Sequence, residues 1–267
     1  MLNAINGYLQ IGNTDMDYIS FGNGVQPFIM LPGLGDALKT VKGTAVSFAM
    51  LYRVFSKDFK VFVFSRKNRL PAEYSIHEMA NDQAKAMELL GISNACVMGI
   101  SQGGMIAMCL AAEHPELVSK LVLANTAAKT NPTMQQVVGK WIDWANIGDF
   151  KSLFIDTAEK TYSEKKLKTY RPLYPLLAAA SKPKSLDRFV TQGNACLTHN
   201  ASAELGRINC PTLVLGGGHD KIVGIEAAPE LAEGIQNSEL FICEEFGHGA
   251  YEEYRDFNDM VLRFLRE

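Results

Sequence analysis

Short, almost continuously apolar runs alternate along this chain with longer stretches whose apolar residues recur every three or four positions. The runs at 27–31 (PFIML), 60–65 (KVFVFS), 95–99 (ACVMG), 121–124 (LVLA), 211–216 (PTLVLG) and 239–244 (ELFICE) read as strands. Strands with so little polar alternation are buried on both faces, and their alternation with helical segments predicts a mainly parallel sheet covered by helices. Segments 8–11 and 16–21 add an antiparallel ribbon at one edge, for about eight strands in all. Residues 75–91 open with Ser75 and Glu78 at capping-box spacing, carry apolar residues at helical intervals and stop at Gly91, which predicts a helix. The tail, 252–265, reads as another.

The rhythm breaks once. Residues 128–205 hold helical stretches and four prolines (Pro132, Pro172, Pro175, Pro183) but no strand. A helical insertion lying over the sheet as a cap is the simplest reading. It divides the chain into a core of residues 1–127 and 206–267 and a cap of residues 128–205.

Composition narrows the picture. A chain of 267 residues supports one core with an inserted subdomain more readily than two independent domains. With 26 Lys and Arg against 29 Asp and Glu, and no long run of one sign, nothing favours a nucleic-acid partner. The opening MLNAINGYLQ lacks the basic and apolar regions of a secretory signal, and no apolar run approaches the roughly 18 residues that cross a bilayer. Five scattered cysteines show neither metal-site spacing nor a disulfide framework. The expectation is a cytoplasmic protein with reduced thiols, no membrane association, and a small molecule as its partner.

The candidate chemistry starts at 97–105, VMGISQGGM, where a lone serine is fenced by Gly99 and Gly103. When a strand gives way to a helix within one tight turn, the apical residue is strained and its neighbours two positions away must be small. Ser101 then projects above the sheet at a helix N-terminus, where free N–H groups favour developing negative charge. A serine hydroxyl needs a base, usually a histidine oriented by a carboxylate. In the order that accompanies this elbow, the acid follows the last-but-one strand and the histidine the last. Asp220 lies just after PTLVLGGGH, and His248 lies in FGHGAYEE just after ELFICEE. His77, His114 and His199 read as structural or solvated, and His219, although adjacent to Asp220, leaves the strand end in another direction. An acyl-transfer site also needs oxyanion donors. The N–H of Gln102 and that of Leu34, in the glycine-bearing turn MLPGLGD, meet this need. That turn lacks the lysine–serine pair of a phosphate-binding loop and the third glycine of a dinucleotide fingerprint.

Taken together, LPGLGD, GISQGGMIAMCLAAEHPELVSKLVLANTA, CPTLVLGGGHDKIV and FGHGAYEE, in that order, resemble the α/β-hydrolase family over nearly the whole chain. The stretch LVLANTAAKT is similar to the enol-lactonase and cofactor-free haloperoxidase branch, whose members have a helical cap. Two departures stand out. Pro32-Gly33 replaces the His-Gly common in relatives, and SRKNRLP, after the fourth strand, replaces an Asp-x-Arg-Gly-x-Gly turn. The resemblance implies an α/β-hydrolase fold with catalytic Ser101, Asp220 and His248, an oxyanion hole at Leu34 and Gln102, and no metal or organic cofactor. Expected is a serine hydrolase of an ester, thioester or lactone of a small carboxylic acid. Carbon–carbon bond hydrolysis, perhydrolysis, aminopeptidase activity and a non-catalytic ligand receptor on the same scaffold remain alternatives. Trp141, Ile142 and Trp144, with Phe150 and Phe154, are candidates to line the pocket beneath the cap, and the basic 164–168 (EKKLK) fits a solvated helix face better than an acidic-substrate site.

Overall fold

The computed structural model describes residues 2–267. Its strands are β1 (Ile5–Ile11), β2 (Thr14–Phe21), β3 (Gln26–Leu31), β4 (Phe59–Lys67), β5 (Ala95–Ile100), β6 (Val118–Ala124), β7 (Thr212–Gly217) and β8 (Ser238–Cys243). They form one eight-stranded sheet in the order β1-β2-β4-β3-β5-β6-β7-β8, antiparallel at β1/β2 and β2/β4 and parallel throughout the rest. The parallel part explains the unbroken apolar runs. Along β3, Ile29 and Leu31 enter one hydrophobic cluster while Phe28 and Met30 enter the other, so every position needs an apolar side chain.

One face of the sheet is covered by α2 (Ile76–Leu89), α3 (Gln102–Glu113) and α9 (Ala227–Gly234), and the other by α1 (Ala45–Leu51) and α11 (Phe257–Arg266). The capping box expected at α2 is present: Ser75 Oγ accepts from the Glu78 N–H at 3.2 Å, and Glu78 Oε2 accepts from the Ser75 N–H at 2.7 Å. The tail differs from expectation. Instead of one helix it forms the short α10 (Ala250–Glu253) and then α11, because Tyr254 turns extended and lays its ring on Phe241 and Phe246, with centroids 5.9 and 6.0 Å away.

Between β6 and β7 the chain forms α4 (Pro132–Asn146), α5 (Phe150–Thr161), α6 (Glu164–Tyr170), α7 (Tyr174–Ser181) and α8 (Asp187–Thr198). The two ends of this helical segment are pinned together by a bridge between Lys129 and Asn200 and by the Ala201 N–H, which donates to Ala128 O at 2.7 Å. Met134, Val138, Trp141 and Phe150 of the insertion belong to the same apolar cluster as β5 and α3. α4, the start of α5 and α8 therefore pack as a continuation of the core, whereas Ala158, Leu167 and Tyr174 form a small cluster of their own. Among the described residues no helix is long and apolar enough to cross a membrane, and all five cysteines are free thiols.

His199, at the end of α8, is buried at 3% exposure. Burial, with His77 nearby, pulls its imidazole down from 6.5 to about 4. Between those values the unfolded chain binds a proton that the folded chain refuses. The residue's stabilisation is therefore complete above pH 6.5 and declines as pH falls toward 4, by about 3 kcal/mol at most. His199→Gln should lose less melting temperature than the unsubstituted protein on going from neutral pH to about pH 4.5. Equal losses in the two proteins would contradict this origin of the acid sensitivity.

Candidate active site

Because β3, β5, β6, β7 and β8 are parallel neighbours, their carboxyl ends share one edge of the sheet, and each delivers a polar group there. At the end of β5, Ser101 has φ 54° and ψ −121°, left-handed backbone that a residue with a Cβ rarely adopts. The fences around it are explained by contact. A Cβ on Gly99 would lie 2.2 Å from Gly103 O, and one on Gly103 would lie 2.0 Å from Leu31 O and 2.6 Å from Pro32 O. Gly103→Ala must displace backbone rather than a side chain, so we expect a stability loss at or above the usual 1–3 kcal/mol of overpacking, roughly 3 kcal/mol, read as a shift of the urea midpoint. An unshifted midpoint would mean that the elbow is looser than described.

Ser101 is held on two sides by β6 and the residues that follow it. Its N–H donates to Ala124 O at 2.9 Å, and its carbonyl accepts from Thr126 Oγ1 at 2.7 Å. The loop after β3 approaches from the other side, so that a Cβ on Gly33 would meet Ser101 Cβ at 3.3 Å. Leu34 begins the 3-10 turn Leu34–Ala37 and Gln102 begins α3. At such first positions the backbone N–H has no acceptor within its own helix.

Asp220 follows β7 and His248 follows β8; both are buried, whereas His219 is exposed. His248 Nδ1 and Asp220 Oδ2 are 2.8 Å apart. The other carboxylate oxygen, Oδ1, accepts from the N–H groups of Ile222 and Val223 at 2.9 and 3.0 Å. Burial works to raise this carboxyl, but His248 and the two backbone donors outweigh it and hold Asp220 below the usual carboxylate value. Asn125, just past β6 and with φ 46°, donates from Nδ2 to Asp220 Oδ2 at 3.2 Å and to Gly247 O at 3.3 Å. It ties the acid to the residue before the histidine. The sequence reading gave Asn125 no role, although a polar residue directly after a strand that ends at the shared edge was a usable signal.

Ser101, His248 and Leu34 all line one cavity of about 830 Å³. Of the candidate lining residues, Trp141 and Phe154 line it. Ile142, Trp144 and Phe150 do not: Ile142 and Phe150 are buried in the core, and Trp144 lies under Lys140, whose Nζ is 4.5 Å from the ring centroid. Three residues along α4 turn Trp144 about 60° away from Trp141 around the helix axis, enough to move it off the cavity wall. Gln102 is not among the residues that line the cavity: it is 1% exposed, and its side chain bonds Arg66, Gln192 and Cys196 inside the protein. In the basic segment, Lys166 pairs with Glu252 at 2.9 Å and sits over the Tyr162 ring at 3.9 Å. Cys196 also lines the cavity, but burial pushes its thiol up to about 11, so it offers no thiolate near neutral pH. Among the described residues no group of three His, Cys, Asp or Glu side chains is placed to hold a metal ion.

A strained serine between glycines, a buried acid–histidine pair on the next two loops and a helical insertion between β6 and β7 accompany a match of residues 26–254 to the alpha/beta hydrolase fold family. The chain belongs to the α/β-hydrolase family. Its relatives in the family include the AB hydrolase superfamily protein YisY of Bacillus subtilis (strain 168), 31% identical over 72% of this chain and 74% of that one. They also include the putative carbamate hydrolase RutD of Pseudomonas syringae pv. syringae (strain B728a), 26% identical over 74% of this chain and 79% of its own length. The α/β-hydrolase architecture extends to nearly the full length, since the enol-lactonase from Burkholderia xenovorans LB400 superposes with a TM-score of 0.83 at 22% identity, covering 98% of this chain and 100% of that one.

Proposed function

We propose that this α/β-hydrolase cleaves an ester, thioester or lactone of a small carboxylic acid through an acyl-enzyme on Ser101. The observation that carries the reading is the buried 2.8 Å His248–Asp220 pair, whose histidine lines the same cavity as a serine in strained backbone. Asp220 fixes the imidazole with its proton on Nδ1, which leaves Nε2 free to take the proton of Ser101 as Oγ attacks the substrate carbonyl. The tetrahedral oxyanion accepts from the N–H groups of Leu34 and Gln102. As the intermediate collapses, the alkoxide or thiolate takes the proton from Nε2 and departs, or in a lactone stays attached as the freed hydroxyl. Water then gives a proton to Nε2, attacks the acyl carbon and releases the acid, and the proton returns to Ser101.

The segment 128–205 acts as the cap that sets substrate choice, since Met134, Val138 and Trp141 of α4 and Leu153 and Phe154 of α5 line the cavity. Their apolar character suits a hydrocarbon acyl group. The test is product analysis over matched panels: nitrophenyl esters of increasing acyl length, small lactones, an aryl carbamate chosen because of the name borne by relatives, and β-diketones. Free acid from the esters or lactones, with the diketones untouched, is expected; cleavage of the diketones alone would replace this reading with carbon–carbon hydrolysis.

A further inference from the structure

We propose that Arg66 is a positioning residue for the oxyanion-binding pair, clamping the loop after β3 and the elbow helix together from inside the protein. The inference rests on the acyl-enzyme reading and goes beyond it. Arg66 lies on β4, in the SRKNRLP segment that departs from the usual turn, and at 0% exposure it is the largest fully buried side chain among the described residues. Its Nη2 donates to Pro32 O at 2.6 Å and to Gln102 Oε1 at 2.9 Å. The first partner is one peptide upstream of the Gly33–Leu34 amide, and the second is the side chain of the residue that offers the other N–H. A single nitrogen thus holds both halves of the candidate oxyanion hole.

The clamp is itself braced. Asp36 Oδ2 accepts from the Arg66 backbone N–H at 3.0 Å, lies 4.0 Å from Nη1, and is 3.5 Å from Arg188 of α8. The side-chain nitrogen of Gln102, Nε2, donates onward to Gln192 O at 2.9 Å and to Cys196 Sγ at 3.2 Å, both on α8. Burying a guanidinium is costly, and an apolar side chain of similar volume commonly fills such a place with no loss of stability. Here the cost is not fully offset by contacts, because Arg66 Nε and Nη1 have no hydrogen-bond partner. What the charge does supply is a short, directed bond to the Pro32 carbonyl of the loop after β3 and another to the side chain of the first residue of α3. Catalysis depends on their separation, since each donor must sit about 2.7–3.1 Å from the developing oxyanion, a window only a few tenths of an ångström wide.

The test compares Arg66→Met, Arg66→Lys and Ser101→Ala on one nitrophenyl ester, together with the affinity of an alkyl trifluoromethyl ketone, whose serine adduct carries the same oxyanion. Arg66→Met should lower kcat about 10- to 100-fold with KM changed less than about 3-fold, and weaken the ketone by the same factor as kcat. Arg66→Lys, which keeps a buried donor, should recover part of both. If Arg66→Met does not fold, Arg66→Met/Asp36→Asn removes both buried charges and should show the same split. A folded Met variant with unchanged kcat, or a kcat loss that the ketone does not share, overturns the proposal while Ser101→Ala remains inactive. Turnover retained in Ser101→Ala would instead take down the acyl-enzyme reading and this inference with it.

Discussion

Ser101→Ala should lower kcat for a nitrophenyl ester by on the order of 10⁴- to 10⁶-fold while leaving the melting temperature within a few degrees. The loss is large because no neighbouring group can substitute as nucleophile: Cys196 is the thiol on the same cavity, and its burial keeps it protonated. The fold should hold because alanine keeps the Cβ, and with it the φ of 54° to which the elbow is already committed. The backbone bonds of Ser101 to Ala124 and Thr126 do not involve the hydroxyl. Paired thermal melts and initial rates check the claim, and residual activity above about one-tenth would mean that the hydroxyl is not the attacking group.

Asp220→Asn should cost about 10⁴-fold in kcat through a change of histidine tautomer. An asparagine oxygen can keep the Oδ1 bonds from Ile222 and Val223, so its amide nitrogen falls where Oδ2 now receives His248 Nδ1 and Asn125 Nδ2. Facing a donor, His248 must present a bare Nδ1 and move its proton to Nε2. An Nε2 that carries a proton cannot accept one from serine. Near-neutral NMR of the imidazole, together with the rate, separates this from collapse of the loop: the ring should remain in place with the opposite tautomer. An unchanged tautomer with an unchanged rate would remove Asp220 from the mechanism.

What could be read from the sequence was whatever backbone geometry dictates locally. Gly99 and Gly103 announce the elbow because any Cβ there strikes main chain at 2.2 Å or less, a constraint that no side-chain choice elsewhere can relieve. Asp220 and His248 were legible because in a parallel sheet the loops after neighbouring strands must emerge at one edge, so chain order predicts proximity. Arg66 and Asn125 were not assigned because their value lies in partners 30 to 122 residues away, fixed only once β4 and β6 take their places in the sheet. The same reason separates the tryptophans. Helical periodicity puts Trp141 and Trp144 on adjoining stripes of α4, and only tertiary packing decides which stripe faces the cavity and which faces Lys140.

Covalent labelling probes whether Ser101, Asp220 and His248 act as one chemical unit, without knowledge of the substrate. Folded protein treated with a fluorophosphonate, digested and mapped by mass spectrometry should carry one adduct, on the peptide containing Ser101, and His248→Gln should slow its formation by orders of magnitude. No adduct on that peptide, or labelling at the same rate without His248, would contradict it.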